Sequence, residues 1–564
     1  MADHQDSEQD TTAEPPRSPR VVPPIGVLIP AIFFLLLAIF GLNLQTLLEG
    51  PLAPLAVRAP VMTDPTFGNL MTLIGGFFTL FIPMVWFAIG SGFTLPVRLM
   101  PIAGFALLVG GFFALFEIRS VSGSLVPRFA YRFSPADDAQ LADLELARRD
   151  DESESLETTP DDFPQFLGPD RNLRIETVQL NPDWENHPPQ ELWRRPIGAG
   201  WSGFSVVGGL AFTMEQRGPE ERVTCYRAAD GQPVWSHATE TRHETTMGFV
   251  GPRCTPLIHQ SKVYTQGGTG VVLCLSATTG EEIWKHDLLE LMNLSAAQEA
   301  NQIAWGRAGS PLLYALEDRD LIVLPAGGPT GATVSLVAFD AESGEVVWKG
   351  GDQQISYVSP SVARIEGQDQ IISVNEATIT GHDPATGTEL WRTDWPGSSS
   401  GNASCSQVHD LGDNRLLVTK GYGQGTRVFK VVPQAENGFE TEIVWEDHRI
   451  FKTKFTNVAV ANGWIYGLND GILERVDLET QKRQWRKRGF DYGQILLVGD
   501  VLLVMSEDGR LAAVNATSEK FQELGSLQAL VGKNSPTWNN LCLYGDKLLV
   551  RNAEEAACYQ LKLK

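Results

Sequence analysis

The sequence predicts an all-β propeller of eight blades that follows an α-helical membrane region. A short phrase ending in tryptophan recurs along the C-terminal part, the runs around it have the period of two that is typical of β-strands, and three uncharged apolar segments lie near the N-terminus. At 564 residues the chain is too long for one core. The predicted organisation is a polar tail (1–20), membrane helices (21–120), an acidic linker (121–162) and the propeller (163–564).

Three apolar segments predict membrane-spanning helices at 25–48, 68–93 and 101–118. The first two are uncharged over more than 20 residues, which is the length that a helix needs to cross a bilayer. A cleaved signal peptide is disfavoured, because the first segment follows a polar tail and two more segments come after it. Three spans place the termini on opposite sides, and the arginine counts on the two sides are too even to fix the orientation.

The repeated phrase predicts a β-hairpin, as in LCLSATTGEEIWKH (273–286) and AFDAESGEVVWKG (338–350). Its glycine supplies a tight turn, and its tryptophan buries about 200 Å², so we expect the phrase to dock one blade onto the next. Small residues ten positions earlier, among them Cys225, Cys274 and Cys558, are expected to make room for a ring of a neighbouring sheet. The disulfide pattern stays open. The structural tryptophans are Trp193, Trp235, Trp284, Trp348, Trp391, Trp445 and Trp485.

A second recurring residue pattern, which we call the second mark, begins each unit. Counting its copies gives eight units. The mark is serine or threonine followed by proline at Thr255, Ser310, Ser359 and Ser535, and its place is assigned without proline to Ser205, Ser406, Thr456 and Gly493. The last unit stops before a fourth strand, whereas an orphan strand, ELWRRP with Trp193, opens the domain. We therefore expect Trp193 to pair with the segment 535–561, which closes the ring and removes exposed sheet edges.

The A-x-D-x-x-T-G-x-x-x-W phrase resembles the repeat of quinoprotein-like propellers. That family includes pyrroloquinoline-quinone (PQQ) alcohol dehydrogenases and the propeller lipoprotein of the outer-membrane barrel-assembly machinery. FPQFLGPDRN (163–172) also resembles the entry segment of membrane-tethered or exported members. The resemblance implies a quinoprotein-like β-propeller closed by its N-terminal strand. The three-span N-terminus is not part of the pattern of the family's enzymes. Together with these spans, the resemblance favours a multi-pass protein of the bacterial inner (cytoplasmic) membrane, with a cytoplasmic tail and the propeller in the periplasm.

The family's enzymes would need PQQ and a calcium or lanthanide ion held by Glu, Asn and Asp side chains. The sequence has no adjacent cysteine pair, no haem-attachment motif and no hydrolase or P-loop motif. The favoured hypothesis is therefore a membrane-tethered binding or scaffolding module without catalytic residues, cofactor or metal. The alternatives are a PQQ-dependent oxidoreductase and a binder of cell-envelope carbohydrate. A net charge of −23 argues against nucleic-acid binding.

The candidate ligand-binding residues lie in loops that enter the innermost strands, because these loops crowd one mouth of a propeller channel. They are Trp201, Arg253, Trp305, Arg307, Tyr357, Lys452, Lys454, Asp491, Tyr492 and Asn534. This aromatic and basic set predicts an anionic or ring-bearing small ligand, or an envelope protein, as the partner. The alternative, that the basic side chains only satisfy loop carbonyls, stays open. We expect the insertion 287–308 to form a short helix capped by Ser295 over this mouth. Truncation of Trp305 and Arg307 is then expected to weaken binding without much loss of thermal stability.

Overall fold

The computed structural model describes two compact units, one with the N-terminal helices and one with the propeller. The described residues are 20–49, 65–134, 137–146, 156–245, 247–434, 438–531 and 535–564.

Three helices occupy the N-terminal part, at Ile25–Glu49, Pro65–Gly90 and Leu95–Leu115. Each is long and apolar enough to cross a membrane. The first two pack at Gly41 and Gly68, where a Cβ atom would lie 2.6 Å and 2.8 Å from a backbone carbonyl oxygen of the other helix. Glycine is therefore what allows this close approach. The third helix begins before the predicted residue 101, because a proline at its first positions starts the helix.

Short elements connect the helices to the propeller and the blades to each other. Within the predicted linker lie a strand at Pro127–Tyr131, which pairs with Phe116–Val121, and a 3-10 helix at Asp137–Gln140. The residues of the predicted insertion form helices at Leu288–Leu291 and Ala296–Gln302. The second of these helices begins at the predicted cap, because the Ser295 hydroxyl accepts a hydrogen bond from the backbone N–H of Gln298.

Eight antiparallel sheets form the blades, as predicted. From the innermost strand outwards, blade 1 comprises Ser205–Val207, Leu210–Arg217, Glu220–Arg227 and Pro233–Thr239; blade 2 comprises Leu257–His259, Lys262–Gln266, Val271–Ser276 and Glu282–Asp287; blade 3 comprises Leu312–Ala315, Asp320–Gly327, Val334–Asp340 and Val346–Gly350; and blade 4 comprises Ser361–Ile365, Gln368–Val374, Thr378–His382 and Glu389–Asp394.

The second half of the chain repeats this plan. Blade 5 comprises His409–Asp410, Arg415–Lys420, Gly425–Pro433 and Phe439–Asp447; blade 6 comprises Ala459–Ala461, Trp464–Asn469, Ile472–Asp477 and Arg483–Lys487; blade 7 comprises Gln494–Val498, Val501–Met505, Arg510–Asn515 and Glu523–Gln528; and blade 8 comprises Cys542–Tyr544, Lys547–Arg551, Glu555–Gln560 and, from the start of the domain, Gln190–Pro196. The short strand Arg174–Ile175 adds to blade 7 in parallel, and Glu244–Thr245 pairs with Phe249–Val250 in a separate hairpin.

The ring closes as predicted, through the strand that contains Trp193. This strand is the outermost strand of blade 8, where Trp193 lies opposite Cys558. Arg551 of the same blade reaches into blade 1, where its guanidinium donates to the carbonyl oxygens of Gly198 (2.8 Å) and Met214 (3.0 Å). At the junction between blades 8 and 1, which we call the seam, the groups on both sides are thus paired with protein groups. Ring closure therefore leaves no exposed sheet edge among the described residues there.

The small residues ten positions before the tryptophans have a different role from the predicted one. Cys225 lies directly opposite Trp235, and Gly381 lies directly opposite Trp391, in the adjacent strand of the same blade. The ring that needs the space therefore belongs to the same blade and not to a neighbouring sheet. Cysteine at this position is a small buried side chain beside the ring, and this packing is enough to explain its presence there. All six cysteines are free thiols.

At five of the eight blade junctions the indole N–H of an outer-strand tryptophan donates to a turn carbonyl oxygen of the following blade. Trp391 donates instead to the Gln370 side chain of its own blade, and the outer strand of blade 7 has no tryptophan. The indole N–H of Trp348 donates to the carbonyl oxygen of Pro384 in the turn of the following blade, at 3.0 Å. A Cβ atom on Gly387, which has a φ of +71°, would overlap the ring of Trp348. The glycine therefore serves two purposes, the left-handed turn and the space for the preceding tryptophan. Trp193 bonds to Ala228 in the same way at 2.8 Å, across the seam.

A second set of contacts joins the blades around the channel. The backbone N–H of Thr255 donates to the Ser310 hydroxyl (3.0 Å), and that of Ser310 donates to the Ser359 hydroxyl (2.9 Å). The pair Gln407 and Asn457 repeats this contact at 2.8 Å, because the Asn457 side-chain oxygen accepts from the Gln407 N–H. One position of each of these blades thus hydrogen-bonds to the same position of the next.

This register corrects several assignments of the second mark. Gly203, not Ser205, is equivalent to Thr255, since its N–H donates to the Thr255 hydroxyl at 3.2 Å. The assignments to Ser406 and Thr456 precede the bonded residues by one position. Ser535 lies seven residues before its innermost strand, whereas the other proline-containing marks lie two before theirs.

We predict that Gly387→Ala destabilises the protein much more than Gly367→Ala does. Both glycines lie in turns of blade 4 with φ near +70°, at +71° and +78°, but no atom lies within 4 Å of a Cβ on Gly367. The control, Gly367→Ala, should lower the free energy of unfolding by about 1–2 kcal/mol, the cost of a side chain at positive φ. Gly387→Ala should lower it by about 1–3 kcal/mol more, because the added methyl group displaces an indole ring. Chemical unfolding of the full chain measures both, and equal losses would contradict the docking role of Trp348.

Candidate functional site

Aromatic side chains from the loops before the innermost strands form one continuous cluster. Because these loops surround the channel, the cluster closes one mouth of it. Trp538 is central, with ring centroids 4.5 Å from Phe455 and 4.9 Å from Trp201. On the other side Trp305 stacks on Tyr357, with centroids 5.0 Å apart and planes inclined by 16°, and it also contacts Phe455 at 6.2 Å.

The cluster surrounds a cavity of about 120 Å³ at the mouth, which we call the mouth cavity. Its lining residues are Phe166, Trp201, Met247, Gly248, Arg253, Trp305, Ala308, Tyr357, Ser359, Cys405, Phe455, Asn457, Trp538 and Asn540. Phe166 belongs to the entry segment that precedes the blades, so the chain entering the propeller contributes to this cavity. Hydrogen bonds fix the Tyr357 ring: its hydroxyl donates to the Ser399 carbonyl oxygen and accepts from the backbone N–H of Trp305 at 3.1 Å.

Four of the ten candidate residues line the mouth cavity, namely Trp201, Arg253, Trp305 and Tyr357. Two more adjoin it through ring contacts. The ring of Tyr492 lies 6.3 Å from that of Phe455, and the ammonium of Lys454 lies 5.1 Å from the centre of the Tyr492 ring. These six residues form the part of the predicted site that the fold brings together.

The other candidates do not line the mouth cavity. The guanidinium of Arg307 is fully buried and forms an ion pair with Glu299 at 2.7 Å, and it donates to the Ala326 carbonyl at 2.7 Å. The ammonium of Lys452 is paired with Asp470 at 2.6 Å. Asp491 is exposed. Asn534 lies outside the described residues.

Several lining residues were missed by the sequence analysis. Phe455 lies directly before an assigned mark, Thr456, so its position next to the mouth could have been inferred. Trp538 follows the misplaced mark at Ser535, and the error in register concealed it. Phe166 lies in the entry segment, whose path through the channel no repeat position indicates.

Arg253 places a buried positive charge beside the rings. Its guanidinium donates to the carbonyl oxygens of Gly251 (2.7 Å) and Gly248. Burial lowers the pKa of Arg253 to about 10, which the neighbouring Tyr357 and Glu221 partly oppose. The cation therefore persists at neutral pH.

Two titratable groups lie close to Arg253. Glu221 is buried and accepts a hydrogen bond from the backbone N–H of Gly268 at 3.0 Å. Burial raises the pKa of the Glu221 carboxyl to about 7. Burial, and next the charge of Arg253, lower the pKa of the His243 imidazole to about 3. The net charge of this group thus lies between zero and plus one at neutral pH.

Known proteins with this architecture provide a comparison for the site. A family model described as outer membrane protein assembly factor BamB matches residues 219–487. BamB of Moranella endobia (strain PCIT) is 22% identical over 288 residues, which cover 50% of this chain and 69% of that protein. The propeller is of the PQQ-repeat type.

Solved structures share the fold of this PQQ-repeat propeller. Quinohemoprotein alcohol dehydrogenase from Comamonas testosteroni is 14% identical with a TM-score of 0.51, and the match covers 71% of this chain and 80% of that one. A europium-containing methanol dehydrogenase is 12% identical with a TM-score of 0.53, and the match covers 72% and 99%. At such identities the likeness concerns the fold alone.

The mouth cavity of this PQQ-repeat propeller does not fit the cation of a PQQ enzyme. Calcium takes six to eight oxygen ligands, carboxylates prominent among them. The described lining residues include no aspartate or glutamate, and the only charged side chain among them is the cation of Arg253.

We predict that Arg307→Ala destabilises the protein by about 3–5 kcal/mol, because it leaves Glu299 without its buried partner. This expectation replaces the one drawn from the sequence, since the guanidinium lies within the fold rather than at the mouth cavity. Arg319→Ala, at an exposed ion pair, serves as the control and should change stability by less than about 1 kcal/mol. Thermal or chemical unfolding of the full chain provides the measurement. Similar small effects of both changes would contradict a structural role for Arg307.

We predict that Glu221 makes the protein less stable as the pH rises from about 4.5 to 7. Its carboxyl has a pKa of about 7 in the folded state, against 4.5 for an unperturbed glutamate. Between these values the folded state binds more protons than the unfolded one, so stability falls with rising pH, by up to about 3 kcal/mol.

Glu221→Gln should remove this component, so that the variant is more stable than the parent protein at pH 8 and similar to it at pH 4. Unfolding measured at several pH values tests this. Glu281→Gln, which alters an exposed carboxyl, is the control. An unchanged pH profile in Glu221→Gln would show that Glu221 does not titrate in this range.

Proposed function

We propose that the protein is a membrane-tethered binding module that docks other envelope proteins at the mouth cavity. In this proposal the three N-terminal helices lie in the bacterial cytoplasmic membrane, and the propeller lies on the periplasmic side. The observation that carries the proposal is a cavity lined by aromatic rings at the point where loops of seven blades converge. Interfaces between proteins commonly depend on a few side chains that fill such pockets.

The size of the cavity favours one inserted side chain as the ligand. Its volume is about 120 Å³, close to the ~150 Å³ of an engineered cavity that holds benzene. The rings of Trp305 and Trp538 both contact Phe455 and contribute flat surfaces to the lining. An aromatic side chain has the shape that such walls accept, whereas an inserted cation would lie beside the positive charge of Arg253.

Polar atoms beside the rings can bind the backbone that carries this side chain. The indole N–H of Trp538 and the side-chain oxygen of Asn540 are buried and have no hydrogen-bond partner among the described residues. Unpaired buried groups of this kind cost about 1–3 kcal/mol each. A peptide carbonyl and a peptide N–H would satisfy them. The same pair of atoms would give the site a preference for peptides over purely apolar ligands.

The comparisons support a partner from the cell envelope. The relative from Moranella endobia is named as an outer membrane protein assembly factor, and the matching family model carries the same description. Three helices of sufficient length and apolarity support a tether to a membrane.

We predict that Trp305→Ala and Trp538→Ala each weaken peptide binding about tenfold or more, as loss of a central aromatic contact usually does. The probes are short peptides with a central tryptophan, and the measurement is their affinity for the full chain in detergent. Ile443→Ala, which removes an exposed apolar side chain far along an outer strand, is the control.

Other outcomes would contradict the proposal. Binding of peptidoglycan fragments in place of peptides, with the same loss in both tryptophan variants, would indicate a carbohydrate-binding module. A change in the visible spectrum together with dye reduction, on addition of PQQ and calcium, would indicate an oxidoreductase. Equal peptide affinity for the parent protein and both variants would remove the mouth cavity from the function.

A further inference from the structure

A second cavity lies deeper in the propeller, between the entry segment and the inner strands of blades 3 to 6. Its volume is about 370 Å³, and we call it the polar cavity. The entry segment contributes Arg171 on one side. The innermost strand of blade 5 and the residues before it contribute Gln407 and His409 on the other. Unlike the mouth cavity, it is lined by few aromatic atoms and several polar ones.

Arg171 is a buried cation without a carboxylate partner. Its two terminal nitrogens donate to the carbonyl oxygens of Pro311 (2.8 Å) and Pro360 (2.9 Å), and one of them also reaches the Gln165 side chain at 3.3 Å. Its Nε–H group has no partner among the described residues. Burial lowers the pKa of Arg171 to about 10, so the charge persists at neutral pH. The ring of Phe166 also faces this guanidinium, with its centroid 5.8 Å from Cζ. A buried charge offset only by neutral groups of this kind favours a bound anion.

Two more buried polar atoms at this cavity lack partners. The side-chain oxygen of Gln407 and the Nε2 atom of His409 are unpaired among the described residues, and the two residues are only 3% and 7% exposed. The amide nitrogen of Gln407 donates to the backbone carbonyl of Arg171, which fixes the oxygen as the free end of the side chain. Burial lowers the pKa of His409 to about 4, so its ring is neutral at pH 7.

The unpaired atoms specify the chemistry of a ligand. Arg171 offers a charged donor and Gln407 an acceptor, while a neutral imidazole nitrogen is a donor or an acceptor according to its tautomer. The single buried positive charge of Arg171 balances one negative charge. A doubly charged oxyanion would therefore keep one negative charge without a counter-charge. At the rim, Arg174 is ion-paired with Glu176, and the exposed Asp170 contributes negative charge, which also disfavours highly charged anions.

We propose that the polar cavity binds a small monocarboxylate that carries a hydroxyl or amino group. The carboxylate accepts from the Nε–H of Arg171, and the hydroxyl or amino group donates to the side-chain oxygen of Gln407. His409 completes the site from the adjacent strand position. The cavity opens to solvent at Asp170, which gives such a molecule an entry path.

The test is titration calorimetry of the full chain in detergent with three related probes. Glycolate has both required groups, acetate lacks the hydroxyl, and glycolamide lacks the charge. We expect glycolate to bind with a dissociation constant of millimolar order, acetate about tenfold more weakly, and glycolamide more weakly still, because each missing group leaves a buried partner unpaired. Equal affinities for the three probes, or no saturable heat with any of them, would overturn the proposal and leave water as the occupant.

The decisive variant is Gln407→Met, which preserves the length of the side chain and removes the acceptor. It should abolish the preference for glycolate over acetate while acetate binding persists, a result that a general loss of structure cannot produce. Gln484→Met, on an exposed strand position, is the matched control. Trp305→Ala should leave glycolate binding unchanged, which separates this site from the mouth cavity. An unaltered preference in Gln407→Met would refute the assignment of the hydroxyl to Gln407.

Discussion

The contact between an outer-strand tryptophan and the next blade's turn, present at five of the eight junctions, is the interaction on which the architecture depends. The indole ring covers a glycine that has no side chain to oppose it, and the indole N–H satisfies a turn carbonyl, as with Trp348, Gly387 and Pro384. Because the contact runs from one blade to the following one, the last blade finds its partner only when the chain closes into a ring. Trp193 provides this last contact, although it lies at the opposite end of the domain from the strands that it completes.

Closure determines what the channel can contain. Hydroxyl and amide side chains such as Ser310, Ser359 and Asn457 accept hydrogen bonds from the preceding blade, so these polar groups of the wall are satisfied by the ring itself. The entry segment then occupies part of the interior and divides it. Phe166 borders a cavity of rings, whereas Arg171, five residues later, borders a cavity of unpaired polar atoms. One short segment thus gives the propeller two environments of opposite character.

Most of the fold could be predicted from the sequence because the hairpin that carries the docking residues is local in sequence. A turn glycine lies four residues before the tryptophan in four copies, at Gly231, Gly280, Gly344 and Gly387, although each of these glycines packs against the tryptophan of the preceding blade. The position before each innermost strand that bonds from blade to blade was harder to identify in the sequence. Serine, threonine, asparagine and glutamine take part in equivalent hydrogen bonds there, so no single residue type indicates it. For charged loop residues too, the residue type alone does not reveal the role in the structure. Arg307 and Arg253 look alike in the sequence, but Glu299 from the preceding helix pairs with the first, and only backbone carbonyls bind the second.

The cations at the two cavities are opposite in sign to the net charge of the whole chain. The protein carries a net charge of −23, yet the charged side chains buried at the two cavities, Arg253 and Arg171, are cations. Among the described residues, neither guanidinium has a carboxylate within 4.0 Å. An acidic exterior repels anions at long range, but salt screens this repulsion within about 10 Å, whereas a buried cation acts at contact in a medium of low dielectric constant. The interior therefore selects its ligands at short range, by the geometry of its hydrogen-bond donors and by pairing one buried cation with one negative charge of the ligand.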